Sequence, residues 1–191
     1  MRPHLRRFVQ VCRDTLPLNE PIYEFGSLQV QGDDELENLR TIFPAADYVG
    51  SDMRPGAGVD VVLDLHQLDL PDETVGTALC IDTLEHVEYP RQAVREMHRV
   101  LRKDGILVMS SVMNFPIHGY PNDYWRFTPA GFHSLLNIFD SCFVGQTGPD
   151  AFPHSIVGIG FKGVSVSLEA FMPAFQAWQH RCNATIKKLG A

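Results

Sequence analysis

The chain has 191 residues, of which 45% are hydrophobic and 20% are charged, and this predicts one domain with a substantial apolar core. The formal net charge of -7 disfavours nucleic acid as the main partner, because phosphate binding usually needs a basic surface. No apolar run approaches the roughly 20 residues of a membrane span. The four cysteines lack zinc-ligand spacing, so we expect reduced thiols in a cytoplasmic protein.

The first predicted element is an amphipathic helix that covers one face of a sheet. Apolar residues recur at helical spacing from Leu5 to Leu16, and Pro17 should end the helix. A second helix is predicted further along, capped by Asp33 or Asp34 and ended by Pro44.

Short apolar runs predict β-strands between these and later helices. The first five predicted strands are residues 22–25, 48–51, 59–63, 75–81 and 106–112. A helix from Pro90 through Leu101 precedes the fifth strand, with residues 103–105 as the turn between them. Strands that alternate with helices favour parallel pairing and right-handed crossovers.

In the C-terminal third, the sequence predicts an irregular segment followed by a short helix, two strands and a last helix. Residues 114–129 are rich in aromatic residues and proline, which is not typical of a helix or strand. A short helix follows through Ile138, and residues 143–145 and 155–161 predict two final strands. The last helix carries Leu168, Phe171, Phe175, Trp178 and Cys182 on one face, with Pro173 expected to kink or restart it.

Acidic residues stand at the ends of four predicted strands. They are Glu24, Asp52, Asp64 and Asp82. The carboxyl ends of parallel strands line the crevice in which open α/β sheets bind ligands. A row of carboxylates at that crevice suits a cationic ligand with ribose hydroxyls better than a phosphorylated ligand.

At these residues the chain resembles the class I S-adenosylmethionine-dependent methyltransferases, in particular the small type-11 group. Four segments carry the resemblance in the family's order and spacing: YEFGS at 23–27, YVGSD at 48–52, DTLEHV at 82–87 and REMHRVLRKDGIL at 95–107. The resemblance runs from about residue 22 to residue 161. It implies an α/β fold with a doubly wound, mostly parallel, seven-stranded Rossmann-like sheet in three layers, whose last strand is antiparallel. We expect one methyltransferase-like domain over residues 1–191, with an N-terminal helix in 1–19, a core in 20–166 and a C-terminal helix in 167–191.

The resemblance implies S-adenosylmethionine as the cofactor, held at the strand ends. Asp52 would accept hydrogen bonds from the ribose hydroxyls, each worth about 1.5–3 kcal/mol. Glu24 would hold the ammonium group, and Asp64 with the Leu65 backbone would recognise the adenine amine. The other residues expected at the cofactor are Gly26, Ser27, Met53 and Asp82. Backbone N–H groups after Gly26 would meet the cofactor's carboxylate.

Each of these assignments has a structural alternative. Asp52 would instead stabilise the turn before Arg54, and Glu24 would bind loop amides. Asp64 would cap a turn, and Met53 would pack in the core. The sequence leaves these alternatives open.

The aromatic segment 115–127 follows the fifth strand, where the resembled fold has its substrate-side wall. His118 is the preferred general base because its ordinary pKa lies near neutrality, and Tyr124 is a second catalytic candidate. The residues expected to contact the acceptor are Tyr120, Trp125 and Arg126. The alternative is an ordered loop in which Arg126 pairs with Asp123.

Histidine is abundant, and His154 is a further base candidate. Glu85 and His86 invite a metal or acid–base interpretation, but no H-E-x-x-H or comparable spacing is present. We therefore expect His86 to pack beneath the site, and we expect no metal.

The resemblance implies methyl transfer to oxygen or nitrogen of a small or medium acceptor of the metabolite, sugar or lipid type. Leu28 and Val30 stand where the family usually has the second and third glycines of Gly-x-Gly-x-Gly. A degenerate, non-catalytic interaction or regulatory module is therefore the alternative, with its C-terminal helix packing on a partner or forming a homodimer. A nicotinamide-dependent oxidoreductase is least favoured, because the Gly-x-Gly-x-x-Gly pattern is absent.

Overall fold

The structure, a computed structural model, describes residues 2–30, 38–119 and 121–188. Its strands are β1 (Ile22–Phe25), β2 (Tyr48–Asp52), β3 (Val61–Val62), β4 (Val75–Ile81), β5 (Leu101–Val112), β6 (Ser141–Thr147) and β7 (Ser155–Phe161). The α-helices of the described ranges are α1 (Pro3–Thr15), α2 (Pro90–Val100), α3 (Pro129–Leu136) and α4 (Phe171–Lys188). Two short 3₁₀ turns, Leu39–Ile42 and Leu84–His86, complete the regular structure described.

All seven strands form one mixed sheet in the order β3-β2-β1-β4-β5-β7-β6. Strands β1 to β5 pair in parallel, with Glu24 opposite Gly50 and Leu79 opposite Val108. Strand β7 is antiparallel to both β5 and β6. The predicted doubly wound, mostly parallel sheet with an antiparallel end is therefore confirmed.

Helices cover both faces of the sheet, as the burial of alternate strand residues requires. Ala78 and Cys80 of β4 face a core shared with α2 and α3. Leu79 and Ile81 face the opposite core, which is shared with α1 and α4. The alternation produces the three predicted layers and leaves the carboxyl ends of the strands uncovered at one edge.

Most predicted elements lie where the apolar pattern places them. Strands β1 and β4 have the predicted bounds, whereas β3 is shorter. The predicted turn at residues 103–105 is wrong, because β5 begins directly after α2 and Leu101 already pairs with Val75. A shift of register in the β4–β5 ladder accommodates those residues within the strand.

The second predicted helix falls partly on residues 31–37, so Asp33 and Asp34 lie outside the described residues. What is described of this segment is the 3₁₀ turn Leu39–Ile42, whose Leu39 and Ile42 are buried. Pro44 follows this turn closely, as the sequence predicts.

The apolar face of α4 is buried within the chain. Trp178 is only 2% exposed, its ring lies 5.2 Å from Phe8 of α1, and its indole N–H donates to the His4 carbonyl at 2.8 Å. The predicted use of this face for a partner or a homodimer is therefore wrong. The helix also begins at Phe171 and includes Pro173 in its first turn, where proline is tolerated. No helix in the described ranges is long and apolar enough to cross a membrane.

Candidate functional site

A cavity of about 610 Å³ opens at the carboxyl ends of β1, β2 and β4. This volume lies in the range of about 300–1,000 Å³ that is usual for small-molecule sites. All four predicted strand-end carboxylates line it: Glu24, Asp52, Asp64 and Asp82. These four residues are spread over almost 60 positions of the sequence, yet they line one cavity, as the strand-end pattern predicts.

Asp52 ends β2 with a side chain that is 13% exposed. Its Oδ1 accepts a hydrogen bond from the Arg54 backbone N–H at 2.9 Å. Within the described part of the chain, no residue donates to its Oδ2. The turn role and the binding role are thus compatible, because each requires a different oxygen of the same carboxylate.

Glu24 lies in the middle of the sheet with only 7% of its surface exposed. The Tyr48 hydroxyl donates to its Oε2 at 2.6 Å. Burial raises the pKa of Glu24 to about 7, although the Tyr48 hydrogen bond and the Arg40 charge oppose this rise. A cationic ligand group beside Glu24 would favour the ionised carboxylate and lower that pKa again.

The loop after β1 is held against β2 by its own backbone. The N–H groups of Gly26 and Ser27 both donate to the Ser51 carbonyl, at 2.7 and 2.9 Å, and Gln29 N–H donates to Ala57. These three N–H groups are therefore engaged within the protein. The expectation of free N–H groups after Gly26 is therefore wrong for Ser27 and Gln29.

Two features of this loop nevertheless suit a bound ligand. Gly26 has φ of +94°, and a Cβ there would lie 2.1 Å from Thr83 Oγ1, so glycine is required. The Ser27 hydroxyl is buried and has no hydrogen-bond partner among the described residues, although Ser27 lines the cavity. A buried hydroxyl without a partner is costly unless a ligand supplies one.

Leu28 and Val30, which replace the usual glycines, also line the cavity. Leu28 packs against the turn after β2, where a Cβ on Gly56 would lie 2.4 Å from its Cδ1. The cavity volume of about 610 Å³ exists with both side chains in place. Their side chains therefore occupy space at the cavity wall but leave the cavity open.

The residues predicted to contact adenine are Asp64, Leu65 and Met53, and only some of their groups are available to a ligand. Asp64 Oδ1 accepts from the His66 backbone N–H at 2.8 Å and contacts His66 Nδ1 at 2.7 Å, which corresponds to the turn-capping alternative. Leu65 is buried in the cavity wall, whereas Met53 is 56% exposed. Met53 is therefore available to a ligand rather than packed in the core.

Asp82 follows β4 and is engaged by Arg2, which no sequence motif marks as a site residue. Arg2 binds it through two hydrogen bonds, Nη2 to Oδ1 at 2.7 Å and Nε to Oδ2 at 3.0 Å. Burial alone would raise the pKa of Asp82, but the charge and hydrogen bonds of Arg2 outweigh burial and hold it below its usual value. The residues are 80 positions apart, so no local pattern could reveal the pair.

Glu85 lies in the turn after β4, fully buried but in contact with the cavity. Its Oε2 accepts a hydrogen bond from Ser111 Oγ at 2.6 Å. Its Oε1 has no partner among the described residues. Burial and the neighbouring Asp82 raise the pKa of Glu85 to about 8. The DTLEHV signature marked this glutamate, but only the structure reveals its burial.

The loop after β5 contributes His118 and Tyr124 to the cavity wall, as predicted. The Tyr124 hydroxyl accepts a hydrogen bond from Asn122 Nδ2 at 2.9 Å, and its backbone N–H donates to the Glu85 carbonyl at 2.7 Å. Tyr120, a predicted acceptor contact, lies outside the described residues. The two catalytic candidates thus face the same space as the strand-end carboxylates.

Trp125 and Arg126 are not among the described residues that line the cavity. Arg126 forms two hydrogen bonds with Asp123, at 2.6 and 2.7 Å, and donates to the Pro116 carbonyl at 2.9 Å. The Trp125 indole donates to the Val87 carbonyl at 3.0 Å. The predicted alternative, in which Arg126 pairs with Asp123, is therefore present, and the Trp125 indole also holds the loop in place. Contact of either residue with an acceptor stays a prediction.

Comparison with known proteins finds a family whose model matches part of this chain. The model of the methyltransferase-domain family matches residues 41–109, which include β2, β4 and the turn that carries Glu85. A search of curated proteins finds no match to this sequence. The predicted resemblance to the class I, type-11 methyltransferases is confirmed over the matched segment.

Solved structures with the same fold are numerous and distant in sequence. One is a Burkholderia thailandensis 1,6-didemethyltoxoflavin-N1-methyltransferase with bound S-adenosylhomocysteine: 16% identity, TM-score 0.60, covering 84% of this chain and 80% of that chain. Another is a Thermotoga maritima S-adenosylmethionine-dependent methyltransferase described as a possible histamine N-methyltransferase: 22% identity, TM-score 0.58, covering 83% and 88%. A third is the Bacillus subtilis YcgJ protein: 13% identity, TM-score 0.59, covering 85% and 100%. At these identities the likeness concerns the fold.

Proposed function

We propose that this chain is an S-adenosylmethionine-dependent methyltransferase that acts on oxygen or nitrogen of a small-molecule acceptor. The observation that carries the proposal is the meeting of Glu24, Asp52, Asp64 and Asp82 around one cavity at the carboxyl edge of the sheet. The methyltransferase-domain match over residues 41–109 supports the same assignment.

The residues present fit this cofactor better than a phosphorylated one. Asp52 Oδ2 and Ser27 Oγ both lack partners within the described ranges and belong to residues of the cavity wall, so they suit ligand hydroxyls and amines. The loop N–H groups of Gly26 and Ser27, which would cradle a phosphate, are bonded to Ser51 instead. A carboxylate-lined cavity also repels phosphate and attracts a sulfonium cation.

The roles of individual side chains follow from their positions. Asp52 would accept the ribose hydroxyls, and Glu24 would stabilise the ammonium group. The bound cofactor supplies an electrophilic methyl group on a sulfonium sulfur. His118 and Tyr124, which line the same cavity, would orient the acceptor, and His118 would take its proton where the acceptor is a hydroxyl.

The proposed setting is the cytoplasm, with a small metabolite, sugar or lipid headgroup as acceptor. All four cysteines are unpaired, and Cys12 and Cys80 are buried, which supports a reducing compartment. The net charge of -7 supports a partner other than nucleic acid.

Calorimetric titration with S-adenosylhomocysteine and S-adenosylmethionine tests the proposal. We expect binding to the wild type and a loss of about 10- to 100-fold in Asp52→Asn, because one or two charge-assisted hydrogen bonds weaken. The Asn amide oxygen can still accept from Arg54 N–H, so the turn should persist. Asp69→Asn, which changes an exposed carboxylate outside the cavity wall, is the matched control. Absence of binding at about 1 mM ligand would overturn the proposal.

A further inference from the structure

A second set of chemically active side chains lies on the acceptor side of the cavity. One carboxylate oxygen of Glu85 and one ring nitrogen each of His86 and His118 lie within 4.8 Å of one another. Glu85 and His86 belong to the 3₁₀ turn after β4, and His118 belongs to the loop after β5. The two segments meet because β4 and β5 are neighbours in the sheet.

Hydrogen bonds fix the tautomers of both histidines. His86 Nδ1 lies 2.6 Å from the Asn122 carbonyl oxygen, and His118 Nδ1 lies 3.1 Å from the Pro116 carbonyl oxygen. A carbonyl oxygen can only accept, so each Nδ1 carries the proton and the lone pair of each neutral ring is on Nε2. Metal-binding histidines have this arrangement, in which a carbonyl or carboxylate orients the ring through its other nitrogen.

The carboxylate of Glu85 provides an independent sign of a missing ligand. Glu85 has no solvent exposure, and Ser111 satisfies only its Oε2. Its Oε1 has no hydrogen-bond partner within the described part of the chain, and the residue lines the cavity. A carboxylate oxygen buried in this way is costly to leave without a partner, and a bound cation removes that cost.

We propose that Glu85, His86 and His118 form a binding site for one divalent transition-metal ion of the zinc class. Two imidazoles and one carboxylate are the ligand set of His₂Glu zinc sites, which leave a further coordination position open. Magnesium and calcium prefer all-oxygen ligands, so the two histidines disfavour them.

The surroundings of the cluster support a cation. Asp123 is nearly buried and holds His118 from behind, through the His118 backbone N–H at 2.8 Å and Nδ1 at 3.2 Å. The nearby cations are already neutralised, since Arg126 pairs with Asp123 and Arg2 pairs with Asp82. These pairings reduce the repulsion that Arg2 and Arg126 would otherwise exert on a bound cation.

The ligand distances require only a modest contraction. Ligands about 2.1 Å from a tetrahedral ion are about 3.4 Å apart. The three atoms already lie within 4.8 Å of one another, so small side-chain rotations would bring them to the ion.

The consequence for the reaction rests on the proposed function. An ion at this site would bind the acceptor hydroxyl at its open position and lower the hydroxyl pKa. The hydroxyl would release its proton to water, its oxygen would form a bond to the methyl carbon, and the methyl–sulfur bond would break. The acceptor class would then be an alcohol or phenol, and His118 would be a ligand rather than the base.

The test uses the full chain, treated with EDTA and exchanged into metal-free buffer. Co²⁺ is titrated while visible d–d absorption is recorded, and Zn²⁺ and Mg²⁺ are titrated by calorimetry. We expect one Co²⁺ or Zn²⁺ per chain and no comparable Mg²⁺ binding. Glu85→Gln and His118→Asn should weaken binding by more than the roughly 10- to 100-fold that loss of an outer partner costs.

His66→Asn is the matched control, because His66 lines the same cavity but lies outside the cluster. Its zinc affinity should equal that of the wild type. If circular dichroism shows that Glu85→Gln does not fold, the metal affinity of His118→Asn, which changes a loop residue, tests the site instead. Absence of one-to-one binding, or equal losses in His66→Asn and His118→Asn, would overturn the inference. S-adenosylhomocysteine binding in EDTA is measured separately, so failure of the metal site and failure of the proposed function are distinguishable.

Discussion

Arg2 and Asp82 join the first residues of the chain to the tip of the central strand β4. Their side chains are only 18% and 13% exposed, and the closest contact, Nη2 to Oδ1, is 2.7 Å. Arg2 also donates to Ser155 Oγ of β7 at 2.7 Å, and its guanidinium lies 5.5 Å from the centre of the Phe115 ring. This one side chain therefore links α1, β4, β7 and the acceptor-side loop at the cavity wall.

Replacement of Arg2 should destabilise the fold. Arg2→Ala leaves Asp82 as an unpaired, largely buried carboxylate, and removal of one partner from such a pair costs about 3 kcal/mol. Arg2→Ala/Asp82→Asn should cost less than the sum of the single changes, because neither charge is then left alone. Urea unfolding measures all three variants. Arg7→Ala, on the exposed side of α1, should stay within about 0.5 kcal/mol of the wild type.

Gly26 should not tolerate a side chain. Gly26→Ala places a Cβ 2.1 Å from Thr83 Oγ1 at φ of +94°, and a strained backbone of this kind costs on the order of 1–3 kcal/mol. Gly131→Ala in α3 is the matched change, since its Cβ would meet Thr128 Oγ1 at an ordinary 3.5 Å. That variant should gain about 0.5–1 kcal/mol. Thermal unfolding that ranks the two variants equally would contradict this account of the loop.

Glu24 should make stability depend on pH near neutrality. Its pKa is raised from 4.5 to about 7 by burial, so between these values the folded protein binds more protons than the unfolded chain. The contribution of Glu24 is thus fully present below pH 4.5 and is lost as the pH rises through about 7. In Glu24→Gln the free energy of unfolding should fall less over this pH range, by on the order of 3 kcal/mol.

The measurement is urea unfolding of the wild type and Glu24→Gln between about pH 5 and pH 8. Glu85 has a pKa raised to about 8 by burial and Asp82, and its titration remains in both proteins. Glu20→Gln, which changes an exposed side chain, is the control. Parallel curves for Glu24→Gln and the wild type would show that Glu24 is not the responsible group.

Trp178 should contribute to stability rather than to association. Trp178→Ala removes a ring packed on Phe8 and Phe175, and such a change costs about 3–5 kcal/mol in a core. Gln176→Ala on the exposed face of the same helix should stay within about 0.5 kcal/mol. Chemical denaturation measures both. If Trp178→Ala unfolded at the same denaturant concentration as the wild type and had a changed elution volume in gel filtration, α4 would be an interface helix.

Local pattern predicts the strands and their ends. Strands such as β1 and β4 are short apolar runs, and these runs alone place Glu24, near the carboxyl end of β1, and Asp82, just after β4, on the same side of the sheet. The partners of those carboxylates were not predictable, because Arg2 reaches Asp82 across 80 positions and Tyr48 reaches Glu24 from another strand. Side-chain pairing of this kind depends on tertiary packing, which periodicity does not encode.

Side-chain pairing in the loop after β5, residues 115–127, also depends on the tertiary fold. The abundance of polar and aromatic residues indicated a wall, and His118 and Tyr124 do line the cavity. The sequence leaves two roles open for Arg126, contact with the acceptor and pairing with Asp123. The structure shows the pairing with Asp123, and the further bond to the Pro116 carbonyl could be established only from the fold of the loop.

A crystal structure of the chain grown with S-adenosylhomocysteine tests the proposed cofactor site directly. We predict density for the ligand in the cavity between β1, β2 and β4, with its ribose hydroxyls within hydrogen-bond distance of the Asp52 carboxylate. A cavity without ligand, with Leu28 and Val30 occupying the space beside Asp52, would contradict the account.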